Sequence, residues 1–182
     1  MVSESPQVKK TKAVVVKAVC DILRPVIKDL VVLDLFAGSG CVSQALVDEG
    51  ARCAYGVDII SSPPVTRTEE INWIQSDVID FLTEGGPPEP VDVVFMDPPY
   101  QTDYAQRVLP LVAGAEWLRE RAIVAVETSS LANYRLELDR SYGQDKNESL
   151  FLMRDREYGG SRLTIYQADR EEAAVVPGGT GE

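Results

Sequence analysis

Apolar positions along the chain recur with two different periods, and the order of these patterns predicts the fold. Val15, Val19 and Leu23 recur at helical spacing, which predicts a helix that begins near Thr11 and ends before Pro25. Further helical patterns cover residues 41–49, 78–83 and 103–115. In the last of them we expect three side chains to face the core, namely Tyr104, Val108 and Leu111.

Seven short apolar runs have the length and composition of β-strands. They cover residues 31–36, 53–58, 72–77, 91–96, 122–127, 149–157 and 161–167. Tyr158-Gly159-Gly160 separates the last two runs and is typical of a hairpin turn, whereas 128–148 is expected to be mostly loop. Strands that alternate with helices predict an α/β fold with a mostly parallel, seven-stranded twisted sheet, helices on both faces and a C-terminal antiparallel hairpin.

The length of 182 residues predicts a single domain with loose ends. We expect residues 1–10 to be a flexible arm, 11–168 to form the domain and the Gly- and Pro-containing segment 169–182 to be a disordered tail. Ligands of such sheets bind outside the carboxyl ends of the strands, so the residues that follow each predicted strand deserve most weight.

Composition excludes several chemistries. The sequence has no histidine, and its three cysteines (Cys20, Cys41 and Cys53) form no CxxC pair, so we expect neither a His-dependent nucleophile nor a metal site. No uncharged apolar run reaches the ~18 residues that a membrane span requires, and no signal peptide is recognisable. The expected location is the cytoplasm, without a membrane partner.

The formal net charge is −11, and it is unevenly distributed. Residues 1–28 hold six Lys and Arg against two acids, a net of +4, so residues 29–182 carry −15. Such acidity argues against a protein that coats nucleic acid, because its field repels phosphates. Any anionic partner would have to be met by local basic groups.

The first predicted strand runs through Asp34 into Phe36-Ala37-Gly38-Ser39-Gly40 and then directly into a helix. Gly38 and Gly40 permit a positive φ and close approach of a ligand to the backbone, next to the free N–H groups of a helix N-terminus. A tight turn that needs glycines only for its geometry explains this pattern equally well. A dinucleotide site fits less well, because the third glycine of that motif would fall at Ser43.

Two more acids close the second and third predicted strands. Asp58, followed by Ile59, is suited to accept both hydroxyls of a ribose, and Asp77, followed by Val78, to accept an adenine amino group. Taken alone, each acid is better explained as a solvated acid at a strand end. Because three acids would share one edge of the sheet, the binding interpretation is stronger for the set than for any one of them.

Asp97-Pro98-Pro99-Tyr100 follows the fourth predicted strand and is the most specific motif of the chain. Two prolines fix φ and lack N–H donors, so the loop is rigid and its carbonyls stay available as acceptors. The Asp97 carboxylate and the Pro98 carbonyl could hold the two hydrogens of an exocyclic amine, while Tyr100 offers a flat surface for an extruded base. Together with the strand-end acids, this indicates methyl transfer from S-adenosyl-L-methionine to a nitrogen, a reaction in which the protein supplies no nucleophile. Asp34 would then lie near the amino group or the sulfonium of the donor.

These motifs resemble the RsmD-type methyltransferases. The resemblance rests on Val32–Gly40, the strand-end acids, Asp97–Tyr100, the helix 15–23 and the segment Arg156–Leu163, and it covers about residues 11–167. It implies a Rossmann-like class I methyltransferase that modifies the exocyclic N2 of a guanine in small-subunit ribosomal RNA. The chain departs from the family pattern in its short segment ahead of the first helix.

The implied partners are ribosomal RNA or the assembling small ribosomal subunit, bound by a monomer or a weak dimer. Candidate substrate-binding residues are the basic groups near the two ends of the domain: Lys9, Lys10, Lys12, Arg156 and Arg162. Three alternatives stay open, namely adenine-N6 methylation of DNA or RNA, N-methylation of a small molecule or a protein amide, and a catalytically silent binding subunit that keeps the fold.

Overall fold

The computed structural model describes residues 6–60, 68–100, 102–130 and 149–169, with backbone alone for residues 6–12 and 149. Its four helices within these ranges are α1 (Pro6–Leu23), α2 (Cys41–Asp48), α3 (Val78–Thr83) and α4 (Tyr104–Ala113). Its strands there are β1 (Val31–Leu35), β2 (Cys53–Asp58), β3 (Ile71–Gln75), β4 (Val91–Met96), β5 (Leu118–Ser129), β6 (Ser149–Tyr158) and β7 (Ser161–Asp169).

All seven strands join one sheet in the order β3-β2-β1-β4-β5-β7-β6. The first five are parallel, whereas β7 runs antiparallel to β5 and β6 antiparallel to β7. The mostly parallel sheet with a C-terminal antiparallel hairpin is therefore confirmed. The hairpin turns at Gly159, whose φ of 62° explains a glycine at that position.

Helices cover both faces of the sheet, as predicted. Alternate residues of a strand point to opposite faces, so Val31, Leu33 and Leu35 pack with α3 and α4 in one core cluster. Val32 belongs to the other cluster, which holds the buried faces of α1 and α2. Asp34 is the polar member of this second face of β1, and that position directs it towards α2.

Element boundaries differ from the predictions in several places. Helix α1 begins at Pro6 instead of Thr11, because a proline is readily accommodated in a first helical turn, where its missing N–H has no partner to bond. Strand β3 ends at Gln75, two residues before the predicted end at Asp77. Strand β5 is twice as long as predicted, since the exposed charged residues 119–121, which follow the buried Leu118, interrupt the apolar pattern.

The buried face of α4 was predicted only in part. Val108 is buried as expected, but Leu111 is partly exposed, and Leu109 and Val112 take the inner positions. The helix continues three residues beyond Pro110 to Ala113, so the proline lies in its last turn. None of the helices within the described ranges has the length and apolarity that crossing a membrane would require.

Several predictions fall on residues outside these ranges. They are the first five residues of the N-terminal arm, most of the predicted loop 128–148 and all but the first residue of the C-terminal tail 169–182.

Candidate active site

Two loops meet where the strand order of the sheet reverses. The chain leaves β1 towards β2 and β3 on one side, and it returns at β4, the other neighbour of β1. The turn 36–40 after β1 and the loop 97–100 after β4 therefore lie side by side at the carboxyl edge. The backbone N–H of Asp97 donates to the Leu35 carbonyl at 3.4 Å, which ties the two loops at their bases. Such a crevice is where open α/β sheets bind their ligands.

The turn after β1 has the backbone geometry that its glycines allow. Gly38 has a φ of 55° and Gly40 a φ of 76°, a region that favours glycine. Phe36 also has a positive φ, of 64°, which is strained for an aromatic residue and was not predicted. Gly40 is the N-cap of α2 and has no side chain to cap the helix, so the amides of its first turn are left for other partners, and one of them, that of Ser43, donates to Asp34.

Asp34 lies in the floor of the crevice and is 1% exposed. Its Oδ2 accepts from the Ser43 hydroxyl at 2.7 Å and from the Ser43 backbone N–H at 3.0 Å. Burial raises the pKa of Asp34 to about 7, although the hydrogen bonds from Ser43 lower it. Asp34 is therefore a carboxyl poised between its two protonation states at neutral pH, and its partner Ser43 was not identified from the sequence.

Asp58 braces the same turn from β2. Its Oδ2 accepts from the Gly38 N–H at 2.8 Å, and its Oδ1 accepts from the Ile60 N–H at 3.1 Å. The neighbouring Ile59 is 69% exposed, so a large apolar side chain stands at the rim of the crevice. Asp58 therefore contacts the turn after β1, and Ile59 directly follows it in the chain.

Asp77 has a structural partner that its sequence position did not reveal. It is the N-cap of α3 and accepts from the Ile79 N–H at 2.8 Å, while its other oxygen accepts from the Tyr104 hydroxyl at 2.9 Å. Burial alone would raise the pKa of Asp77, but these hydrogen bonds outweigh it and hold the pKa below its usual value. The predicted Val78 is buried as the first residue of α3. Tyr104 also packs edge-on against Phe36 with 5.3 Å between ring centroids, which links α4 to the turn.

The four predicted residues of the loop after β4 differ in their exposure to solvent. Asp97 is partly buried, Pro98 is buried, and Pro99 and Tyr100 are exposed. The Thr102 hydroxyl donates to the Pro99 carbonyl at 2.6 Å, which closes the loop on its outer side. Asp97 therefore points inward from a rigid turn.

A network of buried polar groups fixes Tyr100. Its hydroxyl lies 2.9 Å from the Ser161 hydroxyl and 3.2 Å from Glu127 Oε1, and the Ser161 hydroxyl donates to the same carboxylate oxygen at 2.6 Å. Burial raises the pKa of Tyr100 to about 12, so the phenol stays protonated and can donate. Glu127 is 2% exposed and closes the apolar run of β5, two residues before the strand ends, and no motif around it in the sequence indicates this role.

The pocket at the centre of this site is shared by both loops and by α1. Ten residues line it: Val16, Asp34, Phe36, Ala37, Ser39, Cys41, Val42, Phe95, Asp97 and Glu127. Three of these side chains are carboxyls, and the first turn of α2 lies beside them with Cys41 and Val42. Such a lining suits a ligand that carries both a cationic and an anionic group next to an apolar portion. S-adenosylmethionine is a ligand of this kind, with its ammonium, carboxylate and sulfonium.

The predicted basic residues divide into three groups. Lys9, Lys10 and Lys12 belong to the N-terminal half of α1, and their side chains lie outside what the structure describes. Arg156 is exposed on β6. Arg162 is partly buried on β7 and pairs with Glu157 at 2.8 Å and with Asp155 at 3.6 Å, so its charge is already matched.

Known proteins resemble the chain in sequence and in structure. The family described as "Conserved hypothetical protein 95" matches residues 1–167. The "Ribosomal RNA small subunit methyltransferase D" of Escherichia coli (strain K12) is 26% identical, with 79% of each chain covered. A conserved hypothetical protein of Streptococcus pyogenes has a TM-score of 0.65 at 22% identity, covering 82% of this chain and 92% of its own. Magnesium protoporphyrin IX methyltransferase (ChlM) from Synechocystis PCC 6803, solved with bound SAM, has a TM-score of 0.64 at 15% identity, covering 92% of this chain and 86% of its own. The structural likenesses establish the Rossmann-like fold of methyltransferases.

Proposed function

We infer the function from one premise: this chain belongs to the family described as "Conserved hypothetical protein 95". The resemblance to RsmD-type methyltransferases is confirmed by that membership and by the Escherichia coli relative, whose name is that of a small-subunit ribosomal RNA methyltransferase. We propose that the chain is an S-adenosylmethionine-dependent methyltransferase whose substrate is the exocyclic N2 of a guanine in small-subunit ribosomal RNA. The observation that carries the proposal is the inward Asp97 of the Asp-Pro-Pro-Tyr loop, in one pocket with Asp34 and the turn 36–40.

The donor is held by the side of the crevice that β1 and β2 form. In this proposal the backbone of Gly38 and the first turn of α2 at Cys41 and Val42 lie against the amino-acid end of the donor, beside Asp34. Asp58 accepts from the ribose hydroxyls and Asp77 from the adenine amino group, while the exposed Ile59 covers a face of the adenine. When bound, S-adenosylmethionine supplies a methyl group that its sulfonium already activates.

The acceptor amine is held by the loop after β4. The Asp97 carboxylate and the Pro98 carbonyl accept the two amine hydrogens, so that the nitrogen lone pair points into the pocket. The Tyr100 ring supports the base from outside, and its orientation is set by Glu127 and Ser161. The nucleophile is the substrate nitrogen, which agrees with a sequence that contains no histidine.

The direct test is transfer of a tritiated methyl group to undermodified small ribosomal subunits, to free small-subunit RNA and to DNA, followed by nucleoside analysis. We expect label in N2-methylguanosine from the ribosomal substrates. Label in N6-methyladenosine would replace the proposed base, and donor binding without label in any nucleic acid would favour a silent binding subunit.

Two variants separate the acceptor side of the site from the donor side. Asp97→Asn keeps the volume and removes the charge that holds the amine, so we expect methyl transfer to fall by at least 100-fold with donor affinity nearly unchanged. Asp58→Ala should instead weaken donor binding in calorimetry by roughly tenfold or more, because a carboxylate that accepts two hydroxyls is lost. Full activity of Asp97→Asn would refute the role of that carboxylate, as would an unchanged donor Kd in Asp58→Ala for its own role.

A further inference from the structure

The edge strand β6 carries positive side chains on one face and negative side chains on the other. Its residues 154–157 read Arg-Asp-Arg-Glu, and successive side chains of a strand point to opposite sides of the sheet. Arg154 and Arg156 therefore share one face, and Asp155 and Glu157 share the other. The two acids lie with Arg162, which forms ion pairs with both. Within the described part of the chain, neither Arg154 nor Arg156 forms an ion pair, and both are exposed.

The register of the hairpin identifies the face on which the two arginines lie. Arg154 pairs with Ile165 and Arg156 with Leu163. Both partners are buried in the core cluster that includes the inner face of α1. Arg154 and Arg156 thus project on the α1 side of the sheet, the side from which α1 contributes Val16 to the active-site pocket.

A bulge adds an aromatic side chain to the same face. The register shifts between Leu152 and Arg154, so Met153 is an extra residue without a partner on β7. As a result Phe151, which pairs with Gln167, lies on the same face as Arg154 although three residues separate them. Phe151 is 48% exposed. We call Phe151, Arg154 and Arg156 the β6 strip.

The β6 strip runs towards the active site. Two residues beyond Arg156 on the same face is Tyr158, which pairs with Ser161, and the Ser161 hydroxyl holds the hydroxyl of Tyr100. At a strand rise of about 3.3 Å per residue, Arg156 lies roughly 7 Å along the strand from this pair. A polymer that places one unit against Tyr100 could therefore continue along the strip.

We propose that the β6 strip binds the backbone of the substrate RNA next to the modified base, with the two arginines on phosphates and the Phe151 ring stacked on a neighbouring base. This inference rests on the proposed function. A nucleic acid fits because cations at a two-residue repeat and an exposed aromatic ring match a strand that repeats phosphate and base. Residues 29–182 carry a net charge of −15, so the two arginines are cations in an otherwise acidic part of the chain.

The test compares RNA binding by the full chain with that of two double variants that remove the same charge. Arg154→Ala with Arg156→Ala alters the strip, whereas Lys28→Ala with Arg119→Ala removes two exposed cations near the amino ends of β1 and β5. Binding of a fluorescein-labelled single-stranded RNA oligonucleotide is followed by anisotropy over a range of salt concentrations. Donor affinity and the thermal transition are measured for each variant, as controls for folding.

The strip variant should bind RNA roughly 25-fold more weakly at 0.1 M salt and lose about 1.4 from the slope of log K against log salt, at ~0.7 per phosphate contact. The Lys28 and Arg119 variant should keep nearly the wild-type slope. Phe151→Ser should weaken binding about tenfold with the slope unchanged, since stacking carries no counterion release.

Three results would overturn the proposal. In the first, the strip variant binds RNA with the affinity and salt slope of the control variant, while the wild type methylates RNA. This result would reject RNA binding by the β6 strip and leave the proposed function intact. The second is a wild type that neither binds nor methylates RNA, which rejects the function together with the strip. The third is a strip variant that differs from the wild type only in self-association by sedimentation, which would make this face a contact between copies of the chain.

Discussion

At the scale of single residues, the predicted carboxylates have a structural role beside the one proposed for them. Asp34, Asp58 and Asp77 each accept a hydrogen bond from the protein itself, and Asp34 also lines the pocket. Their presence could be predicted because strands end where apolar runs end. Their partners could not be, because Ser43, Gly38 and Tyr104 lie 9, 20 and 27 residues away, and only the folded sheet brings them together.

Glu127 shows the same limit more clearly. It closes the fifth apolar run, yet no local motif surrounds it, whereas Asp97-Pro98-Pro99-Tyr100 is conspicuous in any sequence. The role of the Glu127 carboxylate follows from its hydrogen bonds with the hydroxyls of Tyr100 and Ser161, which are 27 and 34 residues distant along the chain. Two prolines predict a rigid loop. The sequence does not predict that Glu127 orients the tyrosine of this loop.

The buried Asp34 predicts a pH-dependent contribution to stability. Its pKa of about 7 in the folded protein lies above the ordinary 3.8, so its stabilising contribution is complete below about pH 4 and is lost as the pH rises through 7. Asp34→Asn cannot ionise and keeps an acceptor for Ser43. The free energy of unfolding of the variant relative to wild type should therefore increase from pH 4 to pH 8, by up to roughly 4 kcal/mol at 1.36 kcal/mol per pKa unit.

Urea unfolding at several pH values measures this difference. The same exchange at the exposed Asp48 of α2 removes one carboxylate without disturbing Asp34 and serves as the control. A stability difference between Asp34→Asn and wild type that stays constant over this range would contradict the assigned pKa.

At the scale of elements, the accuracy of the predicted limits follows the strength of the local pattern in both helices and strands, since α3 has its predicted limits and β5 does not. A buried strand is recognised in the sequence by an uninterrupted apolar run, and β2 and β4 have the predicted limits. Helix ends depend on weaker signals, as α1 shows by starting at Pro6. The face of α4 was misassigned at Leu111, because Leu109, Leu111 and Val112 are all apolar and the sequence alone does not say which of them the sheet covers.

Helix α3 allows the capping role of Asp77 to be separated from its proposed role in donor binding. Asp77→Ala removes the cap and should destabilise the protein by about 1 kcal/mol, because the Ile79 and Asp80 amides lose their acceptor. Asp77→Ser restores a cap with a shorter, neutral side chain. We expect it to recover most of the stability while donor affinity stays reduced.

Thermal unfolding and donor calorimetry on the two variants check this separation. If Asp77→Ser recovered stability and donor affinity together, the effect of Asp77 on the donor would be exerted only through α3. Tyr104→Phe is the companion variant, since it removes the hydroxyl that donates to Asp77 and leaves the ring against Phe36.

At the scale of the whole molecule, the sheet order turns a scattered set of motifs into one site. The loops after β1 and β4 become neighbours because β2 and β3 are laid down on the far side of β1. The C-terminal hairpin then brings Ser161 against Tyr100 and carries Arg156 outward from it. The alternation of strands and helices in the sequence predicts this architecture. The ion pairs of Arg162 with Asp155 and Glu157 depend instead on the register of the hairpin, and because of them Arg162 is not one of the basic groups available to a partner.

The charge of the whole molecule predicts the physical form of the substrate. With −15 over residues 29–182, long-range repulsion opposes naked RNA, and only local groups such as the β6 strip offset it. An assembled small-subunit particle holds its RNA in one fixed conformation, so fewer phosphate contacts are needed to bind it than a flexible naked RNA requires. We therefore expect kcat/KM for undermodified particles to exceed that for naked ribosomal RNA by at least roughly tenfold at 0.15 M salt, and the difference to persist at 0.02 M salt, where the acidic field is screened less. Fully modified particles supply the background. Equal kcat/KM values for particles and naked RNA at both salt concentrations would mean that the acidic field does not reach the substrate path, and that the basic residues alone govern its approach.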